Sequence, residues 1–346
     1  MSPHGINNYS EEDRARIREY LCAFTKPKIQ ALLDEADLPR TANKEDLLQR
    51  VRAALDDGSI TYEHVVEVLD REVAWQSQHV FLFDSRGGEV TQWKDRTRFT
   101  HMLKRNDVEH LLDRKLPLIV DDQLAVCQIL HDQQRVVVVA MDSHDLEKHL
   151  KELNHTETTD DGRTIEWRAF ELRSDRGLVR FEWDFSSDAA MLQIAQRESG
   201  SDYNKVAKDF KALVGDWLPI DTLFANVNLS RTIALLRERE QNGDQEVRCS
   251  AINLDVDGRS IMGRSSSGKT PFVGAKAVDD AFRGMLAAGA AHLGNVCWRP
   301  NTGSTPVTAD VYTHVHAEAG CVIFSASTSE AIVRHVIGRI RFFAAQ

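Results

Sequence analysis

The sequence predicts an α+β fold, with a small all-helical N-terminal module followed by a larger body of antiparallel sheet with flanking helices. Apolar residues recur at helical spacing up to about residue 72, and compact apolar runs typical of strands begin after Gln78. These runs do not alternate regularly with helices, which argues against repeated βαβ units. We expect a helical module over residues 1–75 and an α+β domain over residues 76–242. Residues 243–346 form either a C-terminal α+β domain or a continuation of the same sheet.

Four amphipathic segments make up the predicted N-terminal module. The first follows Ser10, a good N-cap residue, and begins with acids, which favour a helix N-terminus. The pair Asp57-Gly58 ends the third segment, because glycine is common directly after a helix. The four segments are EEDRARIREYLCAF, KPKIQALLDEADL, KEDLLQRVRAAL and TYEHVVEVLDREVAW.

In the first half of the body, apolar runs predict strands, and helical spacing predicts helices between them. Two segments that flank a polar SDRG stretch have alternating faces and predict an antiparallel hairpin. The predicted strands are HVFLFD, PLIV, LAVCQIL, RVVVVAMD, RTIEWRAFEL and GLVRFEWDF. The predicted helices are RTRFTHMLKRN, DVEHLLDRK, DLEKHLKEL, DAAMLQIAQRE and YNKVAKDFKALVGDWL.

The same mixture continues on both sides of the polar turn QNGDQE. The predicted helices are LSRTIALLRERE, AVDDAFRGMLAAGAAHL and SEAIVRHVIGRIRFF, the last with Ser329 as its cap. The predicted strands are VRCSAINLDVDG, VCWRP and TADVYTHVHAEAGCVIFSAS, which turns near Ala319-Gly320.

Charge and cysteine usage limit the classes of function. The 346 residues include 43 Lys and Arg against 53 Asp and Glu, so the formal net charge is −10. Contact with nucleic acid therefore requires a local cationic patch. The five cysteines form no CxxC pair, which predicts a reducing, cytoplasmic compartment (nuclear in a eukaryote) without disulfides. The sequence has neither an apolar signal segment nor a run near the ~20 apolar residues that span a membrane, so no membrane partner is expected.

The segment WKDRTRFTHMLKR, from Trp93 to Arg105, is the most basic stretch of the chain. Cations interleaved with aromatic residues can contact a phosphate backbone and stack on bases. The alternative is a solvated helix face whose apolar residues point inward. The candidate nucleic-acid-binding residues here are Lys94, Arg96, Arg98, Lys104 and Arg105. Three arginines of the last predicted helix would extend the positive surface: Arg334, Arg339 and Arg341.

Residues 21–56 resemble the SAP module, a short helix–extended loop–helix fold that binds DNA. The matching positions are Leu32, Leu33, Ala36, Leu38, Pro39, Thr41, Lys44, Leu47, Leu48 and Arg50. The resemblance implies that the loop and the N-terminus of the second helix contact duplex phosphates. The contacts it implies are Lys26, Lys28, Arg40, Thr41, Lys44, Arg50 and Arg52. The order of elements is also similar to the layout of the centromere protein N family, which implies a non-enzymatic reader of nucleosome and DNA surfaces.

Protein binding by the helical module stays open beside DNA binding. Residues 1–72 carry ten Lys and Arg against fifteen Asp and Glu, whereas DNA-binding modules are usually basic overall. The module would then be an adaptor for a protein partner, or the body would self-associate.

The segment GRSSSGKT fits the phosphate-binding pattern G-x-x-x-x-G-K-S/T of P-loop proteins. That pattern requires a buried strand before the loop and a helix after it, whereas here the short DGRSIM precedes it and Pro271 follows it. The alternatives are a flexible Ser/Gly loop and a loop that contacts nucleic-acid phosphates without nucleotide chemistry. The candidate phosphate-binding residues are Gly263, Arg264, Gly268, Lys269 and Thr270.

No other segment specifies an enzyme, and no cofactor or metal is expected. His314 and His316 lie on one face of a predicted strand at a spacing that can bind metal, but no third ligand is near them in sequence. We expect a non-enzymatic protein that binds duplex DNA mainly through phosphates. The alternatives are a protein-interaction adaptor that uses the helical module, and an NTP- or metal-dependent enzyme that uses residues 263–270.

Overall fold

The chain folds into two compact units. The computed structural model describes residues 9–88, 90–198, 200–243, 245–257, 259–265, 290–300 and 305–346, with the single positions 276, 280, 281, 283 and 284. The first unit, called the helical unit, comprises Met1–Ala74 with Lys115–Asp121. The second, called the sheet unit, comprises Trp75–Arg114 with Asp122–Gln346.

The helical unit contains the four helices that the sequence predicts. They are α1 (Glu11–Ala23), α2 (Lys26–Glu35), α3 (Lys44–Asp57) and α4 (Tyr62–Ala74). Ser10 and Asp13 form a capping box at the start of α1, and Gly58 ends α3 in the left-handed conformation with φ 81°. The apolar faces of the helices share one core, to which Leu118 also contributes.

The sheet unit is built on one large antiparallel sheet. Its strands are β1 (Gln78–Ser85), β2 (Ala125–His131), β3 (Arg135–His149), β6 (Phe170–Asp184), β7 (Ala189–Ala195), β8 (Phe224–Asn226), β9 (Val247–Val256), β10 (Arg259–Arg264), β11 (Ala290–Trp298), β12 (Val311–His316) and β13 (Cys321–Phe324). They run in the order β10-β9-β11-β12-β13-β1-β7-β6-β3-β2, and β8 also pairs with β1. Two further strands, β4 (His155–Thr158) and β5 (Thr164–Trp167), form a separate pair. Because β13 pairs with β1, residues 243–346 continue the same sheet.

Helices flank this sheet. They are α5 (Thr91–Lys94), α6 (Arg96–Arg105), α7 (Tyr203–Val214), α8 (Ile220–Leu223), α9 (Ser230–Gln241) and α10 (Glu330–Ala344). Phe99 of α6 and Phe210 of α7 pack in one core with Phe181 and Trp183 of β6. Glu182 lies between those two aromatic residues along the strand, so it faces the opposite side, where Arg334 of α10 contacts it.

Three elements of the sheet differ from the sequence prediction because of burial and pairing. The segment DAAMLQIAQRE, predicted as a helix, is strand β7, whose last six residues are all buried. A strand covered on both faces loses the alternation that identifies strands. The predicted hairpin around SDRG is wrong, since β6 is one 15-residue strand that pairs along its whole length with β3. The predicted helix over residues 145–153 is wrong because β3 continues to His149.

Further differences lie in short segments. The stretch DVEHLLDRK contains only the single 3-10 turn Glu109–Leu111. The stretch PLIV is not a strand, and Leu118 packs instead in the core of the helical unit. Most of the helix predicted over residues 277–293 lies outside the described residues, and its described end belongs to β11.

Gly177, in the middle of β6, makes room for a buried ion pair. Asp142 lies opposite it on β3 and accepts hydrogen bonds from both terminal nitrogens of Arg197, at 2.7 and 2.8 Å. A Cβ at position 177 would lie 2.1 Å from Asp142 Oδ1 and 3.1 Å from Arg197 Nη2. The absence of a side chain at this position is therefore what lets the carboxylate reach its partner.

We expect Gly177→Ala to lower the free energy of unfolding by about 3 kcal/mol, because the new methyl group displaces a buried carboxylate from its partner. Gly338→Ala on α10 is the matched control, since no atom lies within 4 Å of a Cβ there. Alanine is favoured over glycine in a helix, so the control should be neutral or stabilising by up to about 1 kcal/mol. Urea denaturation measures both, and equal stabilities of the two variants would contradict this explanation.

Candidate nucleic-acid interface

Helix α6 presents a cationic face because its apolar residues are fixed inward. Phe99 and Leu103 are fully buried, and the Phe99 ring stacks on His131 with a centroid distance of 4.9 Å. Asp95 caps the helix by accepting a hydrogen bond from the backbone nitrogen of Arg98 at 2.9 Å. Met102 is buried beside these apolar residues, and the opposite side of the helix points toward solvent, where Arg98, Lys104 and Arg105 are exposed. We call these three residues the α6 cationic face.

The three cations of this face are not neutralised by neighbouring acids. Within the described part of the chain, no carboxylate forms an ion pair with Arg98, Lys104 or Arg105, whereas the two basic residues that precede them do have acidic partners. Lys94 Nζ lies 3.4 Å from Asp188 Oδ1, and Arg96 Nη2 lies 2.5 Å from Asp113 Oδ2. The five residues predicted from the basic stretch thus divide into two compensated cations and three uncompensated ones.

A surface pocket of about 330 Å³ opens on the same helix. Its lining consists of Gln92 of α5 and Arg98, His101 and Arg105 of α6. Trp93 anchors α5 by packing in the core that also contains Phe99 of α6, and its Nε1 donates to the carbonyl oxygen of Trp217 at 2.9 Å. Sequence reasoning missed Gln92 and His101. His101 could have been identified from the spacing i, i+3, i+7 of Arg98, His101 and Arg105, which places the three residues on one stripe of a helix.

In the helical unit, two of the cations implied by the SAP resemblance are paired with acids. Lys28 forms an ion pair with Glu72, and Arg40 Nη1 lies 2.9 Å from Asp34 Oδ2. Thr41 is exposed on the connection between α2 and α3. The positive charge of Lys28 and Arg40 is therefore largely cancelled at short range.

The other cations implied by the SAP resemblance form no ion pair with a described acid, and three of them contact neutral acceptors. Lys44 donates to the carbonyl oxygen of Cys22 at 2.9 Å, and Arg52 lies 3.4 Å from the Cys22 sulfur. Arg50 donates to the carbonyl oxygen of Pro39 at 2.8 Å, and Lys26 is exposed at the first position of α2. Lys44 and Arg52 thus converge on the last turn of α1, whose carbonyl groups attract cations.

The GRSSSGKT segment is only partly within the described chain. Gly263 and Arg264 end β10, whereas Gly268, Lys269 and Thr270 lie outside the described residues. Strand β10 is antiparallel to β9 and is the last strand of the sheet order among those described. A P-loop instead follows a strand of a parallel βαβ unit. This context gives the nucleotide alternative no support.

The arginines of α10 do not extend the positive surface, because each one is held by an acid. Arg334 binds Glu182 through two hydrogen bonds of 2.8 and 3.0 Å. Arg339 and Arg341 are neutralised in the same way, by Glu246 at 2.7 Å and by Asp84 at 2.6 Å.

Histidines of two strands lie close together in the sheet unit. His314 and His316 of β12 face the same side, and His314 Nδ1 lies 2.7 Å from Asn295 Oδ1. His79 of β1 stacks on Tyr203, with ring centroids 3.5 Å apart. Burial, and then the charges of His316 and His314, lower the pKa of His79 to about 4. Among the described residues, no group of three or more His, Cys, Asp or Glu is arranged to hold a metal ion.

The lowered pKa of His79 predicts a loss of stability in mild acid. The unfolded chain binds this proton near pH 6.5 and the folded chain only near pH 4, so stability falls as the pH drops through that window. With solvent screening taken into account, we expect a loss on the order of 1–2 kcal/mol from this group. His79→Phe keeps the stacked ring and removes the proton. The urea midpoint should therefore change less between pH 7 and pH 4.5 in the variant than in the wild type. Equal changes in the two proteins would show that His79 is not the source of this pH dependence.

None of the helices in the described part of the chain has the length and apolar character needed to cross a membrane. No protein-family model and no curated protein matches this chain.

Proposed function

We propose that the protein binds duplex DNA through the phosphate backbone, with the α6 cationic face as the principal contact. The observation that carries this proposal is the set of three exposed cations, Arg98, Lys104 and Arg105, that no described carboxylate neutralises. Lysine and arginine at such positions displace the counterions condensed on DNA, and this displacement supplies the sequence-independent part of DNA affinity. The net charge of −10 repels DNA from the chain as a whole, so contact requires a local cationic patch of this kind.

The helical unit supplies a second, smaller contact in this proposal. The SAP resemblance of residues 21–56 supports it, and so do the exposed Lys26 and the cations that contact neutral acceptors: Lys44, Arg50 and Arg52. Lys28 and Arg40 contribute less, because Glu72 and Asp34 already neutralise them. Hydrogen bonds to phosphates fix the position of a protein on the duplex but do not read its sequence. The proposed binding is therefore largely independent of DNA sequence.

Fluorescence anisotropy with a labelled duplex of mixed sequence tests the proposal. Three phosphate contacts predict that the affinity falls about 40-fold between 50 and 200 mM salt, and contacts from the helical unit would steepen the fall. A second duplex of unrelated sequence should bind with similar affinity. Absence of binding at 50 mM salt would overturn the proposal.

Self-association or binding of a protein partner is a second candidate, supported by a different part of the sheet unit. Strands β3 and β6 extend together beyond the residues that pair with β2 and β7, and the β4–β5 hairpin follows at their end. Every position of β4 and β5 is exposed. We call the extension of β3 and β6, together with the β4–β5 hairpin, the arm. Four large apolar side chains in the arm are exposed: Leu153, Ile165, Trp167 and Phe170. An apolar group of this kind is typical of a protein-binding surface.

Light scattering on the wild type and on the double variant Trp167→Ser/Phe170→Ser tests this second candidate. A dimer or larger assembly that the double variant reduces to a monomer would support self-association through the arm. A monomer in both cases would exclude self-association and leave only a separate protein partner for this surface.

A further inference from the structure

The pocket on α6 has the chemistry of a site for a single anionic group. Arg98, His101 and Arg105 lie within two turns of one helix, and Gln92 reaches the same pocket from α5. Guanidinium groups offer only donors, and the amide and the ring can donate as well. Two guanidinium groups that face one cavity repel each other unless an anion lies between them. No described carboxylate forms an ion pair with either one, so no described residue supplies that anion.

The charge and volume of the pocket favour a terminal phosphate over an internal one. An internal phosphodiester carries one negative charge and has a sugar on each side, so it suits an open surface. A terminal phosphate carries about −1.5 to −2 charges at pH 7 and presents three free oxygens. Arginine matches such oxygens with two parallel hydrogen bonds. The volume of about 330 Å³ lies at the small end of the range for ligand sites, and it is large enough for a phosphate with part of its sugar.

We propose that this pocket binds a phosphate monoester, and that its source is the terminal phosphate of a nucleic-acid strand. This inference rests on the proposed function, because the duplex held along the α6 cationic face would bring its end to the pocket. Lys104 does not line the pocket. Lys104 therefore contacts internal phosphates of the duplex, whereas Gln92 and His101 contact the terminal phosphate.

Anisotropy measurements on four DNAs of one sequence test the inference. They are a linear duplex with 5′-phosphates, one with 3′-phosphates, one with hydroxyl ends, and a duplex closed at both ends by loops. We expect one phosphorylated duplex to bind about tenfold more tightly than the hydroxyl and closed forms, from one extra charge-assisted contact. The double variant Gln92→Leu/His101→Leu should abolish this ratio. Lys104→Gln is the matched control, which should weaken all four DNAs alike and keep the ratio.

The outcomes separate this inference from the proposed function. Equal affinity for all four DNAs would overturn the terminal-phosphate pocket and leave duplex binding intact. Calorimetry with adenosine monophosphate and with adenosine identifies the source of the phosphate. If the monophosphate binds, adenosine does not, and none of the DNAs binds, the strand end is the wrong source and the proposed function fails. If neither small molecule nor any DNA binds, both proposals fail.

Discussion

The triple variant Arg98→Gln/Lys104→Gln/Arg105→Gln is expected to bind duplex DNA about 500-fold more weakly than the wild type at 0.1 M salt. Each phosphate contact contributes close to a factor of ten under these conditions, through release of a counterion. The fold should survive, because the three side chains are exposed and make no ion pair with a described carboxylate. Circular dichroism and the urea midpoint establish that the variant is folded before its affinity is compared.

A control variant with the same change in net charge separates the effect of the cations' position on DNA affinity from the effect of net charge. Arg163 and Arg168 are also exposed and Arg16 is half-buried, and each is paired with an acid: Glu166 at 3.2 Å for Arg168, Asp161 at 2.7 Å for Arg163 and Glu19 at 3.0 Å for Arg16. Replacing all three by glutamine should change the affinity less than about threefold, since surface ion pairs contribute little and these cations are already neutralised. Equal losses in the two triple variants would show that only net charge matters, and would contradict a localised interface.

Glu182→Gln is expected to lower the free energy of unfolding by about 3 kcal/mol. Glu182 is 4% exposed and binds Arg334 through two hydrogen bonds, while Arg180 lies 2.7 Å away and Arg135 3.4 Å away. Burial alone would raise the pKa of Glu182, but the hydrogen bonds from Arg334 and the three positive charges lower it. Without the carboxylate, the guanidinium of Arg180, whose side chain is 13% exposed, has lost its counter-charge. Removing one partner of a buried pair costs about 3–5 kcal/mol.

Glu330→Gln is the matched control for this second prediction. Glu330 binds the same Arg334 at 2.7 Å, but its side chain is 48% exposed. Its loss should therefore cost less than about 1 kcal/mol. Urea denaturation of both variants measures the difference. Similar midpoints would mean that burial of the carboxylate does not govern its contribution.

The elements predicted from sequence are those with one apolar and one polar face, together with strands that are continuous apolar runs, such as RVVVVAM in β3. Helices α3, α6 and α10 each bury one stripe of residues and expose the other, so their period identifies them. Strand β7 is buried on both faces and carries no such period. Gly177 and its polar neighbours indicated a turn, although the glycine is required within a strand to admit Asp142. Tertiary packing determines the structure of β7 and of the segment around Gly177, and a local sequence pattern carries no information about that packing.

The basic residues of the candidate interface were predictable from sequence, but which of them an acid neutralises was not. The basic stretch around α6 is visible in the sequence, but Arg96 and Arg98 are the same residue type two positions apart. Only the fold brings Asp113, seventeen residues further along the chain, to Arg96 and leaves Arg98 without a described acid. Lys28 is likewise neutralised by Glu72, which belongs to a different helix. Neutralisation by distant partners is a property of the folded chain.

The dependence of DNA affinity on salt reports the number of phosphates that the α6 cationic face contacts. The logarithm of the binding constant is measured against the logarithm of salt concentration for the wild type and for the triple variant of Arg98, Lys104 and Arg105. We expect the slope of the variant to be shallower by about 2.7, which corresponds to three lost phosphate contacts. Identical slopes would show that these residues do not meet the phosphates, and would contradict the proposed interface.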